Sequence, residues 1–423
     1  MNEEQQAIYN LIVNEKKNVF ITGGAGVGKS YLINELSKSG KKISKTAMTG
    51  SAALQIGGST LHSWMEIGLA QESAETLAKK IMYSKWSLLK DKMADTDILV
   101  IDEVSMMNDQ LFTKVSSVLS IVSGNPNPFG GLQVVLVGDP FQLSPIEGNY
   151  CFMSEHWKEC FFIIKALSVN MRQKDDLIFK DMLDRLRFGK CSKNDFKLLE
   201  LQKTKVFENG VIPTRLFSRN ADAERVNTFE FNLLQTPIVI FKTKYTGKDE
   251  NASRKYAKAS SVEENVSLRV GAQVMLTCNI AVEMGLVNGT RGVIENLTSQ
   301  YAFIKTISGN SVMINFKEVK NDNEADAFNV KFKHMPLKLA WAVSIHKSQG
   351  LTLDAVEVDL GSSIFANGQA YTGLSRARTL ESVKIINVLR KSFKTSEDVL
   401  KFWNTHITLN QDTKGEATLD AHS

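Results

Sequence analysis

The sequence predicts an α/β chain: two domains with parallel sheets, a short insertion in the first and a small β-barrel insertion in the second. Three observations carry that expectation. The apolar run Val19 to Ile21 ends in a glycine-rich turn and opens an amphipathic helix through Leu36, as a buried parallel strand feeding a crossover helix does. Further apolar runs of strand length, Ile98 to Ile101 and Gln133 to Gly138, follow with room for helices between them. After a polar and then β-rich interval, Leu337 to Gly361 returns to α/β character, and a helix and strand close the second unit through Val388.

Composition sets the outer limits. The 423 residues suffice for several domains, and 51 Lys and Arg against 46 Asp and Glu leave a formal charge of only +5, so any nucleic-acid surface must be a local cluster of basic residues. Cys151, Cys160, Cys191 and Cys278 are too far apart for a C-x-x-C metal or redox motif, and reduced thiols are expected. The start MNEEQQ has neither an apolar signal core nor the Arg-rich character of a transit peptide. The longest apolar runs, such as Phe161 to Ile164, are far too short to span a membrane. The expected setting is the cytoplasm or another reducing compartment, without membrane association.

Taken in order, Glu3 to Val13 reads as a short helix carrying Gln5, whose amide can donate to and accept from an adenine edge or simply face solvent. The turn Gly23-Gly24-Ala25-Gly26-Val27-Gly28-Lys29-Ser30 satisfies G-x-x-x-x-G-K-[ST] between strand and helix. Backbone N–H groups at such a helix start meet phosphate oxygens with no side chain in the way. Lys29 is placed for the β- and γ-phosphates, and the Ser30 hydroxyl for Mg²⁺. Lys41 to Thr49 is the next strand candidate and runs into Thr46 to Trp64. There Thr49, Gly50, Ser51 and Thr60 would let a sugar-phosphate backbone approach, while His62 and Trp64 could stack on bases; a turn and helix with a core Trp accounts for the same letters. Met65 to Asp95 is helix-leaning and carries Lys79, Lys80, Lys85 and Trp86.

Asp102 and Glu103 follow directly on the run Ile98 to Ile101, at the strand end where open α/β sheets place their ligands. The two carboxylates divide into a metal-directing Asp102 and a Glu103 that polarises the attacking water. Gln142 follows the next strand closely enough to feel a γ-phosphate. Phosphoryl transfer also needs positive charge on the γ-oxygens, and Arg172 in LSVNMRQ and Arg376 in AYTGLSRAR are the candidates. Pro213 to Asn220 begins the second α/β unit. Lys242 to Glu264 is so polar that it reads as a flexible or poorly packed excursion. Short β-rich segments with Asn288-Gly289 as a hairpin signal come next, and suggest the inserted barrel. His346, Lys347 and Ser348 suit phosphate or sugar contacts, or a helix cap. Beyond Asn404 the tail is polar and expected to be disordered.

The ordered series EEQQAI, GGAGVGKS, TAMTGSAA, IDEVSMM, PFGGLQVVLVGDPFQL, NMRQ, AWAVSIHKSQGLTLD and GQAYTGLSRAR resembles the superfamily I DNA helicases of the Pif (petite-integration-frequency) type, in the RecD-like group. The likeness runs from Asn2 to about Leu389, and Pro128 to Gln133 resembles the segment that sets this family apart. Val27, Met48 and Ser144 depart from its usual residues without removing a group the chemistry needs.

The resemblance implies two RecA-like P-loop domains, at 1–63 with 96–165 and at 166–240 with 336–405. It further implies a wedge at 64–95, a barrel insertion at 241–335 and a polar tail at 406–423. It makes Lys29, Asp102, Glu103, Gln142, Arg172 and Arg376 the catalytic set, with Ser30 and Asp102 at the Mg²⁺. Gln5, Gly23, Gly24, Ala25, Gly26, Val27, Gly28, Lys29, Ser30 and Gly350 would contact ATP. Thr49, Gly50, Ser51, Thr60, His62, Trp64, His346, Lys347 and Ser348 would line a single-stranded DNA track. The implied activity is ATP-driven 5′-to-3′ translocation on single-stranded DNA with duplex unwinding, acting as a monomer at single/double-strand junctions. A nucleic-acid-stimulated ATPase that remodels or switches without processive unwinding is the alternative.

Overall fold

The first domain is organised on β1 (Val19–Thr22), β2 (Ile43–Ala47), β3 (Ser59–Thr60), β4 (Ile98–Asp102), β5 (Gln133–Val137) and β6 (Ile163–Ala166). In this computed structural model they pair, all parallel, in the order β3-β2-β4-β5-β1-β6. Every residue of β1 and β4 is buried, because helices cover both faces; this is why those strands read as unbroken apolar runs rather than as alternation. One core lies on each face: Ile8, Ile12, Leu32 and Ile33 from the first two helices on one side, and an aromatic group of Phe20, Phe112, Phe129 and Trp157 on the other. The carboxyl ends of the neighbouring strands β1, β5 and β4 deliver the glycine-rich turn, Gly138-Asp139 and Asp102-Glu103 to one edge. The structure describes residues 1–68, 70–84, 87–207, 212–246, 249–259, 262–281, 284–306, 309–320 and 331–408.

The first helix runs Glu3–Val13 as expected, started by a capping box in which Asn2 and Gln5 bond each other's backbone. Within 64–95 the helices Ala74–Tyr83 and Leu89–Ala94 place Leu77, Ala78, Ile81, Leu89 and Met93 in the first domain's core. Lys85 and Trp86 lie outside the described residues.

The second domain has β7 (Thr214–Phe217) as an inner strand. The chain then leaves through β8 (Val239–Lys242), β9 (Lys244–Tyr245), β10 (Asn265–Leu268), β11 (Gln273–Leu276), β12 (Arg291–Leu297), β13 (Tyr301–Thr306), β14 (Ser311–Asn315), β15 (Lys317–Lys320), β16 (Lys331–His334) and β17 (Leu337–Leu339). It returns as β18 (Ala342–Ser344), β19 (Val356–Leu360) and β20 (Val383–Val388), giving a parallel sheet in the order β18-β7-β19-β20. Among the described residues the excursion forms three antiparallel sheets, β14-β13-β12-β11-β17, β10-β8 and β15-β16-β9. Phe241, Val266, Val274, Ile294, Ile304 and Leu337 pack between the first two of these in a core of their own. Asn288-Gly289 does form a turn, with Gly289 at φ 93°, but it closes a long connection from β11 to β12 rather than a tight hairpin.

Two expectations are corrected. The polar stretch 242–264 contains an ordered helix, Glu250–Ala259, with Ser253 and Ala257 buried and the Tyr256 hydroxyl donating to the Gly58 carbonyl at 3.1 Å. Its fully buried side chains, Ser253 and Ala257, are small, so no apolar stripe marks it in sequence. The last helix, Glu397–Trp403, follows β20 yet belongs with the first domain. Phe402 and Ile407 enter the aromatic core around Phe20, and Val399 packs with Phe141 and Tyr150. The remainder of the tail, 409–423, lies outside the described residues. No described helix is long and apolar enough to cross a membrane, and the four cysteines are free.

Candidate active site

The glycine-rich turn leaves β1 and feeds the helix Lys29–Leu36. Gly23, Gly26 and Gly28 hold φ of 138°, 82° and 85°, and a Cβ on Gly26 would stand 2.4 Å from Arg172 Cβ, so both backbone conformation and close approach require glycine there. Lys29 Nζ donates to the carbonyls of Gly23 and Gly24 at 2.8 Å each. Burial lowers the Lys29 pKa against the pull of Asp139, Glu103 and Asp102. Ser30 is half-buried in the first helical turn. Gln5 is buried against the turn, its Nε2 being 2.7 Å from where a Gly28 Cβ would lie, and its Oε1 accepts from Asn2 N at 3.1 Å.

Asp102 is the last residue of β4, and Glu103 follows in the left-handed region at φ 55°, ψ 37°. That turn separates the two carboxylates and lets Asp102 accept from Glu103 N at 2.8 Å. Burial, reinforced by the Glu103 charge, pushes the Asp102 carboxyl up to about 7. Glu103 accepts from Gln349 Nε2 of the second domain at 2.7 Å. Gly350 is next to this contact: a Cβ on it would stand 3.9 Å from Glu103 Oε1 and 3.0 Å from Gln55 Oε1. Gln142 is buried and donates to Asp139 Oδ2 at 3.3 Å.

Both arginines lie at the seam. Arg172 packs on Gly26 and donates from Nη1 to the Ser375 carbonyl at 2.9 Å. Arg376, 1% exposed, is held within its own domain: Nε donates to the Thr372 carbonyl at 2.9 Å, Nη2 to Ser375 Oγ at 2.8 Å and Nη1 to the Ser348 carbonyl at 3.4 Å. Burial depresses both guanidinium pKa values, and Glu103 opposes the effect on each.

The residues read as a DNA track divide. Thr49 and Ser51 are half-buried, with Thr49 Oγ1 capping the helix Gly50–Gln55 by accepting from Ala52 N at 3.3 Å. His62 and His346 are half-buried, and burial lowers both their pKa values. Lys347 is exposed and 3.4 Å from Glu224. Trp64 is a correction: it is 5% exposed in the first domain's core with Met65 and Leu77, and offers no ring face to a base. Gly50, Thr60 and Ser348 are buried as well; Thr60 Oγ1 accepts from Ser63 N at 3.3 Å, and Ser348 Oγ donates to the Ile345 carbonyl at 2.8 Å, so these hydroxyls serve the turns that carry the site.

The profile described as PIF1-like helicase matches residues 1–197, and that of the DNA helicase Pif1 2B domain matches 259–297. The crystal structure of Pif1 helicase from Candida albicans is 31% identical, with a TM-score of 0.76, over 96% of this chain and 99% of that one. The chain belongs to the PIF1-like helicase family. The structure of Bacteroides sp Pif1 in complex with ADP-AlF4 superposes on this PIF1-like chain with a TM-score of 0.81 at 28% identity, covering 96% and 97% of the two. The ATP-dependent DNA helicase PIF1 of Danio rerio is 34% identical over 418 residues, 95% of this chain but 63% of that protein. This PIF1-like chain thus spans less than two thirds of the length of the vertebrate relatives it matches.

Four residues of this candidate site in the PIF1-like chain escaped the sequence reading: Asp139, Arg187, Gln349 and Tyr371. Asp139 and Arg187 form a buried ion pair with Nη2–Oδ1 at 2.8 Å, and the Tyr371 hydroxyl accepts from Ala25 N at 3.1 Å. Asp139 follows β5 just as Asp102 ends β4, and Gln349 lies between Ser348 and Gly350, so position alone could have found these two. Arg187 ends an amphipathic helix and Tyr371 lies in a short, wholly buried one, and neither carries such a positional signal.

Proposed function

We propose that the chain is an ATP-hydrolysing DNA motor that travels 5′ to 3′ on single-stranded DNA and opens duplexes at single/double-strand junctions, as a monomer in a reducing intracellular compartment. The observation that carries the reading is the bond from Gln349 to Glu103. It joins the candidate hydrolytic carboxylate to the residue that directly follows His346-Lys347-Ser348, on the face proposed for the strand. Hydrolysis and track share one hydrogen bond.

In this reading the loop Gly23–Gly28 and Lys29 receive the triphosphate, and Gln5 the base. Ser30 and Asp102 fit a Mg²⁺ because both offer hard oxygen donors. Among the described residues no cluster of three or more His, Cys, Asp or Glu side chains could hold a metal by itself, as suits an ion shared with substrate phosphates. Bound there, the ion would neutralise phosphate charge. Glu103 orients the attacking water, Gln142 senses the γ-phosphate, and Arg172 and Arg376 supply positive charge from the second domain. Because Arg376 is held by its own domain's carbonyls, closure of the seam has to bring it into play. Thr49, Ser51, His62, His346 and Lys347 are the track contacts that remain accessible. The stretch 64–95 is the proposed wedge, and 241–335 the insertion that braces it. Contacts of this kind are sequence-tolerant and salt-sensitive.

The test is displacement of two partial duplexes that differ only in which end carries the overhang. Release of the 5′-tailed substrate alone, abolished by Glu103→Gln, is expected. DNA-stimulated ATP turnover with no strand release would replace the motor by a switch, and stronger stimulation by RNA of matched sequence would overturn DNA as the track.

A further inference from the structure

The Tyr371 hydroxyl stands where the phosphate loop, the loop after β5 and the second domain meet. It accepts from the amide of Ala25, inside the phosphate loop, at 3.1 Å, and it lies 3.5 Å from Asp139 Oδ2, at the outer limit of a hydrogen bond. Asp139 in turn holds Arg187 of the second domain and the Gln142 amide. Tyr371 itself belongs to the helix Gln369–Leu374, just before Arg376 in the chain. Its ring is 4% exposed and packed in the second domain's core, so it cannot swing away to solvent. Burial, with Asp139 adding to it, holds its phenol firmly protonated, leaving an O–H to give to Asp139 while the oxygen accepts from Ala25. The loop fits closely around it: a Cβ on Gly24 would touch Tyr371 Oη at 3.4 Å and Arg187 Cδ at 3.9 Å.

We propose that Tyr371 is a positioning residue, whose hydroxyl transmits movement of the phosphate loop to the Asp139–Arg187 pair and so couples nucleotide binding to motion of the seam. The proposal rests on the nucleotide-site reading above. A loop that shifts to receive phosphate oxygens moves the Ala25 amide, and the hydroxyl must follow it or lose it. Either response changes the donor set around Asp139, which already holds Arg187 and Gln142. Tyr371 touches no reacting atom in this scheme; it acts through its neighbours.

The test uses Tyr371→Phe, which removes one oxygen and keeps the packed ring. Hydrogen exchange on the full chain is followed with and without a non-hydrolysable ATP analogue. In the wild type, protection should change together in the loop 23–30 and in 138–143. In Tyr371→Phe the loop should respond while 138–143 does not. DNA-stimulated kcat, referred to the fraction of chains that bind the ATP analogue in a titration of the same preparation, should fall about tenfold with the KM for ATP within about twofold, so that a loss of folded protein is not counted as a loss of turnover. A full response at 138–143 in the variant, or an unchanged kcat, overturns the proposal. A wild type with no response at 23–30 overturns the nucleotide-site reading instead, so the two failures are told apart.

Discussion

Arg187 grips Asp139 from across the seam, with Nε 3.1 Å and Nη2 2.8 Å from Oδ1, the two side chains being 6% and 0% exposed. The guanidinium also lies over the rings of Trp403 and Phe141, 4.4 and 4.5 Å from their centroids. Three parts of the chain therefore meet on one cation: a second-domain helix, the loop after β5 and the last helix, which returns to the first domain.

Removing one partner of a buried ion pair strands the other charge in a medium that cannot solvate it. Arg187→Met should therefore lower stability by about 3 to 5 kcal/mol, and the loss should persist in high salt because solvent ions do not screen a buried pair. Urea unfolding at low and high ionic strength checks this. A loss that salt abolishes would mean the pair is solvated.

Trp64 separates core from track. Trp64→Phe keeps an apolar ring but leaves unfilled volume among Met65, Leu77 and their neighbours, so it should cost about 1 to 3 kcal/mol of stability. Affinity for single-stranded DNA, read by fluorescence anisotropy, should stay within about twofold, since losing a stacking platform would cost about 1 to 3 kcal/mol per base. A large loss of affinity in a stably folded variant would return Trp64 to the track.

The legible and illegible parts of this molecule differ in the range of the interaction that sets them. The strands β1, β4 and β5 are legible because burial on both faces leaves continuous apolar runs, and the phosphate loop because its φ values admit only glycine at fixed offsets. Trp64 was misread because a core indole and a stacking indole are the same letter. The last helix was misplaced because Phe402 and Ile407 announce an apolar face without saying which core it joins. Tyr371 and Ala25 are 346 positions apart, and no local pattern records their bond.

Gln349 should behave as a coupling residue. With Gln349→Ala, Glu103 keeps its carboxylate but loses its donor at 2.7 Å from the second domain. DNA-stimulated turnover should drop about tenfold, with DNA-free turnover and the KM for ATP little changed, because the bond matters only when the two domains act together. Steady-state ATPase assays with and without single-stranded DNA decide it; equal losses in both conditions would make Gln349 a fold residue.

His334, at the end of β16, gives the insertion a pH dependence of its own. The ring is 3% exposed and its Nε2 has no partner, and burial, with nearby Lys317 adding to it, depresses its pKa from 6.5 to about 4. The unfolded chain takes up a proton near the ordinary value while the folded one resists until about 4, so the unfolded state binds more protons throughout that window. Stability contributed by the neutral ring is present above pH 6.5 and is lost as pH falls toward 4. From about pH 7.5 to about pH 5 the loss should be about 2 kcal/mol. His334→Leu, which cannot titrate, should remove that component. Hydrogen exchange of the strand Lys331–His334, referred to unstructured peptide rates at each pH, reads the insertion's own stability rather than that of the whole chain. An identical pH dependence in the variant would assign the effect to other groups.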